Sequence, residues 1–418
     1  MKINAKRLLD NLNNLKKFTD TPGKGVTRFS YGSEDIKARE YIASKVSAAG
    51  CSVHEDALHN LRIGLKDNST HKKTVVAGSH IDTVKNGGWL DGIYGVCGAM
   101  EVIETLAKSG ASFHNNYEMV IFAEEEGSNF DSTMTGSKFI TGFYDESTLD
   151  SLRNDIGESL RDVLLDFNKK VDGSSSLDVS NIRWDFNRIK SMFELHIEQG
   201  PVLDQQKLSL GIVESIFGMR VIEVILTGVG NHAGATPMTE RFDALSVAAQ
   251  CITTAEDMVR SDPDKRTVVT VGKLEVKPNC SNVIPEAVKF YLEVRDKDRN
   301  KIDFYIDEIK SLIFDIAESR DVKCEMKEHS KSTPLRLNKR LMDKMVSKAN
   351  DQNLAYKVMD SGAVHDACMI ANFADTGMIF VPSINGRSHV PEENTDKADL
   401  ITGVQFLLDI IIDELKEG

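Results

Sequence analysis

Thr74-Val75-Val76-Ala77-Gly78-Ser79-His80-Ile81-Asp82-Thr83, continued by Gly87-Gly88-Trp89-Leu90-Asp91-Gly92, is the stretch from which the organisation of this 418-residue chain can be read. Its apolar run reads as a buried strand that gives way at Gly78-Ser79 to a glycine-rich loop, and open α/β sheets carry their chemistry just beyond such strand ends. The loop delivers a histidine at 80, an acid two residues on, and a second acid at 91. Imidazole and carboxylate so placed point to a metal site.

Working outward, three more apolar runs end in or carry the same kinds of side chain. Met119-Val120-Ile121-Phe122-Ala123 is followed by Glu124-Glu125-Glu126-Gly127-Ser128, and adjacent carboxylates repel one another unless something cationic sits among them. Residues 192–200 alternate, with Phe193, Leu195 and Ile197 on one face of a strand and Glu194, His196 and Glu198 on the other. Gly377-Met378-Ile379-Phe380-Val381-Pro382 leads to Gly386-Arg387-Ser388-His389. A single core histidine is more often structural than a ligand. The joint placement of His80 with Asp91, Glu125 with Glu126, His196 and His389 at strand ends suits two divalent ions, because a shared carboxylate offsets the repulsion between cations roughly 3.5 to 4 Å apart.

The length predicts two domains. Leu8, Leu12 and Leu15 recur at helical spacing in an N-terminal amphipathic helix, residues 36–49 read as a helix with Ser33 as N-cap and Gly50 as stop, and residues 93–107 read as a buried helix. Short alternating strands are expected across 51–66, and 334–350 reads as a helix. The polar segment 145–185 carries no readable pattern beyond a surface loop at 173–176. A composition change near Gly211 opens a region with strand-like 221–226, 266–276 and 287–294 and helical 243–259 and 302–318. This β-α-β-β-α-β order predicts a ferredoxin-like α/β insertion. The expected layout is therefore a catalytic α/β domain at 1–210 and 331–418, with a mixed sheet flanked by helices, and a smaller domain at 211–330.

Lys plus Arg number 51 against 64 Asp plus Glu, a net charge of −13 that repels phosphate backbones and anionic membranes, so neither nucleic acid nor membrane is an expected partner. Six cysteines stand singly with no Cys-x-x-Cys pair, which suits reduced thiols in a cytoplasm. No apolar stretch approaches the roughly 18 residues of a membrane span.

His80-Ile81-Asp82 with Asp91-Gly92, and Glu125-Glu126-Gly127-Ser128, resemble the metal signatures of the dinuclear M20 metallopeptidase superfamily. Leu195-His196-Ile197-Glu198-Gln199-Gly200-Pro201, Gly230-Asn231-His232-Ala233-Gly234-Ala235-Thr236-Pro237-Met238 and Ser388-His389-Val390-Pro391-Glu392 sharpen the likeness. Together they resemble its amidohydrolase branch: N-carbamoyl-L-amino acid hydrolases, β-ureidopropionases and allantoate amidohydrolases. Peptidase members usually place a carboxylate where this chain has His196.

The resemblance implies Asp91 as bridging ligand, His80 and His196 on one metal, Glu126 and His389 on the other, and Asp82 holding His80 in its tautomer. It implies Glu125 as general base, the spacing of 35 from Asp91 to Glu126 matching the family, although a one-residue shift would make Glu124 the base and Glu125 the ligand. His232 would polarise the scissile carbonyl, Asn282 and Arg295 would clamp a substrate carboxylate, and Gln199 and His365 would touch substrate. As residue-level alternatives, Arg295 could form a surface ion pair and Asn282 could be a turn residue. The implied cofactors are two divalent ions, with Zn, Mn, Co and Ni all compatible with this donor set. The implied reaction is hydrolysis of a carbamoyl C–N bond in a small carboxylate-bearing ureido substrate by a homodimer whose smaller domain serves as lid and dimerisation module, with hinges near Gly211 and 332–334. Allantoate, an aminoacylase or dipeptidase activity, and a non-catalytic binding protein are the competing readings. Two departures from the family pattern stand out: Val364 where glycine is common before His365, and Asn129 where arginine is common after Gly127-Ser128.

Overall fold

The computed structural model describes residues 1–65 and 68–417, so Lys66, at the end of one expected strand segment, and Gly418 lie outside the described residues. In chain order the strands are β1 (Cys51–Glu55), β2 (Leu61–Leu65), β3 (Thr74–His80), β4 (Asn116–Phe122), β5 (Ile189–Ile197), β6 (Leu210–Ile216), β7 (Gly218–Thr227), β8 (Val268–Lys277), β9 (Ala287–Asp296), β10 (Lys323–Ser332), β11 (Leu335–Arg336), β12 (Tyr356–Ser361) and β13 (Asp375–Val381). The chain forms two compact units, one of residues 1–214, 337–359 and 365–418 and the other of residues 215–336 and 360–364.

The first unit is built on a mixed sheet in the order β1-β2-β4-β3-β5-β13-β6. Its centre, β4-β3-β5-β13, is parallel, and the outer pairings are antiparallel. Parallel strands buried on both faces need near-continuous apolar sequence, and Val75 to Ala77, Met119 to Ala123 and Met378 to Val381 supply it. Registering His80 beside Phe122, and His196 beside Phe380, brings the C-terminal ends of four strands to one edge. That edge carries the candidate ligands.

Helices cover the sheet. Ile93–Ser109 is buried along nearly its whole length and ends at Gly110 in the left-handed conformation. Lys397–Lys416 buries Leu400, Val404, Leu407 and Ile411 in the same core, joined by Leu8, Leu12 and Leu15 of Ala5–Leu15. The helix expected after Ser33 instead begins at that residue: Gly32 is the N-cap, with no side-chain cap bond. The carboxylate of Asp35 takes the job, accepting from the Tyr31 N–H and from Arg39. In the segment that showed no sequence pattern, Leu160–Val171 is a helix started by a Ser159/Asp162 capping box and burying Leu160, Leu164 and Phe167.

The second unit has the expected topology: four antiparallel strands in the order β10-β7-β9-β8, with helices Ala244–Arg260 and Arg299–Glu318 between strands. One face buries Ile222, Val224, Leu226, Phe290, Leu292 and Val294 under Val247, Cys251, Ile306, Ile309 and Ile313. On the other, Glu223 accepts from the Tyr291 hydroxyl at 2.8 Å and pairs with Lys289 and Lys327. The strict alternation of β9 is the sequence cause of this two-faced sheet. β11 pairs with Ser215 and Ile216. The unit boundaries differ from the expected 211 and 331. β6 runs on to Ile216, its first half pairing with β13, and Ser361 accepts from Phe217, so that 360–364 joins the second unit.

Candidate metal centre

Asp91 is the hub. Its Oδ1 lies 3.0 Å from His196 Nε2 and 3.9 Å from His80 Nε2, and its Oδ2 lies 2.9 Å from His389 Nε2. Glu126 Oε2 stands 3.6 Å from His389 Nε2 on that second side. Two groups of potential ligand atoms therefore share one carboxylate, His80-Asp91-His196 and Asp91-Glu126-His389, each with its atoms within 4.8 Å of one another. Gly92, at φ +64°, makes the turn possible, since a Cβ there would lie 2.5 Å from the His80 ring.

Backbone carbonyls orient the first pair of imidazoles. His80 Nδ1 bonds the Asp82 carbonyl at 3.0 Å and His196 Nδ1 bonds the Ile197 carbonyl at 2.9 Å, so both rings turn Nε2 toward Asp91. Asp82 thus holds His80 through its main chain, its carboxylate lying 3.6 Å away. That carboxylate accepts from the N–H groups of Glu125 and Glu126, fixing the loop that bears the acids.

The three consecutive glutamates have separate environments. Glu124, at φ +54°, is fully buried and turned onto Asn129, whose N–H and side-chain amide both donate to it; burial and nearby Asp82 push its pKa up to about 8. The residue that stands where arginine is common therefore serves Glu124. Glu125 Oε2 lies 3.7 Å from His80 Nε2, and burial, opposed by His80 but joined by Asp366 and Glu126, holds its pKa well above the usual carboxylate range. Glu126 is raised to about 7 by burial and by Asp91, with Oε1 buried and unpartnered.

These residues fit divalent cations. Three buried carboxylates converge, and none of the ion pairs made by the described residues brings Lys or Arg to them. Burial disfavours the charged rings of His80 and His196, yet Glu125, Asp82 and Asp91 hold His80 well above its ordinary pKa, and Asp91 raises His196. The hydrogen bond to Asp91 raises His389 to about 9. Gln199 donates from Nε2 to Asp91 Oδ2 at 3.0 Å, with its Oε1 buried and unpartnered.

A third group, Glu194-His196-His365, is also close enough to hold an ion. Its donors are already engaged: Glu194 accepts from the Ser79 hydroxyl and the Ala367 N–H, and His196 faces Asp91. His365 packs edge-on against His196 at 4.6 Å and is buried, and desolvation together with His196 drives its pKa well below 6.5. His365 is 2% exposed beside candidate ligand His196. Val364 beside it does not adopt a left-handed backbone, so that substitution carries no φ strain. Sequence reading missed Glu194 and Asp366 as support. Asp366 accepts from the Ser137 hydroxyl at 2.5 Å, and only the adjacency of these acids to His196 and His365 signalled them.

In the second unit, residues 231–233 run beside 282–284 through an antiparallel bridge, the Ala233 N–H donating to the Asn282 carbonyl and the Ile284 N–H to that of Asn231. Exposed His232 and exposed Asn282 are thereby neighbours. His232 Nδ1 accepts from the N–H groups of Gly234 and Ala235 at 3.1 and 3.0 Å, which leaves the proton of a neutral ring on outward Nε2. Arg295, on β9, pairs with Glu293 through Nε and Nη2 and donates to the Gly362 carbonyl. A carboxylate ligand would have to compete with Glu293.

Residues 76–413 match peptidase family M20/M25/M40. The chain is 36% identical to an N-carbamoyl-L-amino-acid amidohydrolase of Paenarthrobacter aurescens over 98% of each chain. It is 34% identical to an allantoate amidohydrolase of Escherichia coli (strain K12) over 94% of each. Among solved structures, an amidase of the hydantoinase/carbamoylase family from Burkholderia multivorans superposes with a TM-score of 0.88 at 29% identity, covering 100% of this chain and 99% of that one.

Proposed function

This chain belongs to peptidase family M20/M25/M40, and on that footing we propose that it hydrolyses the carbamoyl C–N bond of N-carbamoyl-L-amino acids, giving ammonia, carbon dioxide and the amino acid. The observation that carries the reading is the pair of ligand groups sharing Asp91, with Glu125 beside them and outside both.

His80, Asp91 and His196 would hold one divalent ion, and Asp91, Glu126 and His389 the other. Bound there, the ions supply Lewis acidity, polarising the carbonyl and acidifying water. Glu125, buried and with a raised pKa, takes the proton of the water whose oxygen adds to the ureido carbon. It returns that proton to the departing nitrogen as that C–N bond breaks, and the carbamic acid left behind releases carbon dioxide as its proton passes to the remaining nitrogen and the second C–N bond breaks. His232 donates from Nε2 to the carbonyl oxygen as charge gathers on it, the tautomer its two backbone donors enforce. Asn282 and Arg295 receive the substrate carboxylate, with Arg295 exchanging its pairing with Glu293 for the ligand, and Gln199 reaches substrate from beside Asp91. A homodimer is part of this reading, and the edge strand β8 with exposed Val268 and Leu274 is the feature of the second unit that supports it.

Ammonia release from a panel of N-carbamoyl-L-amino acids, N-carbamoyl-β-alanine and allantoate, after loading with Mn, Zn, Co or Ni, tests the proposal. Turnover of N-carbamoyl-L-amino acids above the others is expected. A preference for allantoate replaces the substrate, and cleavage of dipeptides or acylated amino acids alone defeats the carbamoyl reading.

A further inference from the structure

Glu393 is 1% exposed, and its carboxylate spans two loops that lie some three hundred positions apart in sequence. Oε1 accepts from the N–H groups of Leu90 and Asp91 at 2.9 and 3.0 Å. Oε2 accepts from the Ser388 hydroxyl at 2.8 Å and from the His389 N–H at 3.3 Å. Four donors thus fill the acceptor positions of one carboxylate. The two ligands it grips, Asp91 and His389, are those whose side chains meet at 2.9 Å.

Two further observations show that this arrangement is built. A Cβ on Gly88 would lie 2.0 Å from Glu393 Cδ and Oε1, so a side chain in the loop before Asp91 would collide with the carboxylate first. His389 has φ +60°, a conformation costly for a residue with a Cβ unless its surroundings impose it, and Glu393 holds both its N–H and the preceding hydroxyl. Neighbouring Glu392, by contrast, is exposed and pairs with Arg387.

We propose that Glu393 is the positioning residue of the second ligand group, a clamp that sets the distance between Asp91 and His389 and so governs affinity for the ion held by Asp91, Glu126 and His389. The inference rests on the two-ion reading. His80 and His196 are oriented by the carbonyls of Asp82 and Ile197, without Glu393, so the first site loses support at shared Asp91 alone, whereas the second loses it at both Asp91 and His389.

The test is metal titration of wild type, Glu393→Gln, Glu393→Ala, Gly88→Ala and Gly88→Ala/Glu393→Ala, with Co absorbance and chelator competition reporting each ion separately. Gln keeps one acceptor oxygen but sets an amide NH2 against two donors. Both Glu393 variants are expected to bind the second ion at least tenfold more weakly and the first, which shares only Asp91 with the clamp, with a clearly smaller loss, in line with the effect of groups that orient metal ligands. Gly88→Ala should give the same selective loss, and in the Glu393→Ala background it should add little, because the obstructing carboxylate is gone. Equal weakening of both ions, unchanged second-ion affinity, or a Gly88→Ala effect that persists in full without Glu393 overturns the clamp. A wild-type chain that binds one ion overturns the two-ion reading, and the clamp with it.

Discussion

In the first unit Asp91, His80 and His196 have side chains no more than 5% exposed, and Asp91 meets His196 and His389 from far along the chain, whereas His232 in the second unit is exposed and is fastened by the N–H groups two and three positions further on. The first arrangement depends on the whole sheet; the second depends on one turn and its bridge to Val283. Long-range burial fixes where charge sits and raises the cost of any unpaired carboxylate. A local turn fixes only a tautomer and leaves the side chain free to meet a ligand. Substitutions in the two units should therefore fail in different ways.

Glu125→Gln should produce the largest effect. Removing the proton acceptor lowers kcat by about 10³-fold. Metal content is expected to stay as in wild type, since Glu125 belongs to neither candidate ligand group. Metal analysis beside steady-state kinetics measures both, and loss of metal with loss of turnover would move Glu125 into the ligand set. His232→Ala is expected to lower kcat by about 10²-fold with metal content and thermal stability unchanged, because nothing in the first unit's ligand groups depends on that turn. A fall in metal content in this variant would break the contrast between the units.

The smallest effect concerns buried charge. Burial alone would raise the Glu414 carboxyl, but hydrogen bonds from Arg340 and Lys344 bring it down from 4.5 to about 2. A folded-state pKa below the unfolded value stabilises the fold above about pH 4.5, and this contribution is lost as pH falls toward about 2. Glu414→Gln should cost on the order of 1 to 2 kcal/mol at pH 7, allowing for screening at half-exposed Arg340, and the difference from wild type should vanish near pH 2. Urea unfolding as a function of pH measures it.

The first unit was readable because its ligands follow apolar strands: Val75 to Ala77 and Met119 to Ala123 announce where His80 and the glutamates must fall. The second unit was readable by alternation, most cleanly in β9. What escaped notice lacked periodicity. The helix Leu160–Val171 has a capping box and only three buried side chains amid charged residues. Sequence spacing places Asp82 beside His80 but does not say that its carbonyl, rather than its carboxylate, makes the hydrogen bond. Glu393 stands one residue past the stretch that carries the resemblance, beside an exposed twin, and nothing in the sequence separates the two.

The position of β13 has a consequence for how the protein is made. It is the last strand in the chain, yet it lies between β5 and β6, inside the sheet. During synthesis the earlier strands leave the ribosome with an open slot between them, their backbone groups unsatisfied until residues 375–381 arrive. A chain interrupted before that point lacks His389 and leaves the edges of β5 and β6 that face each other without their partner strand. Arrival of residues 375–381 thus completes the centre of the first unit's sheet.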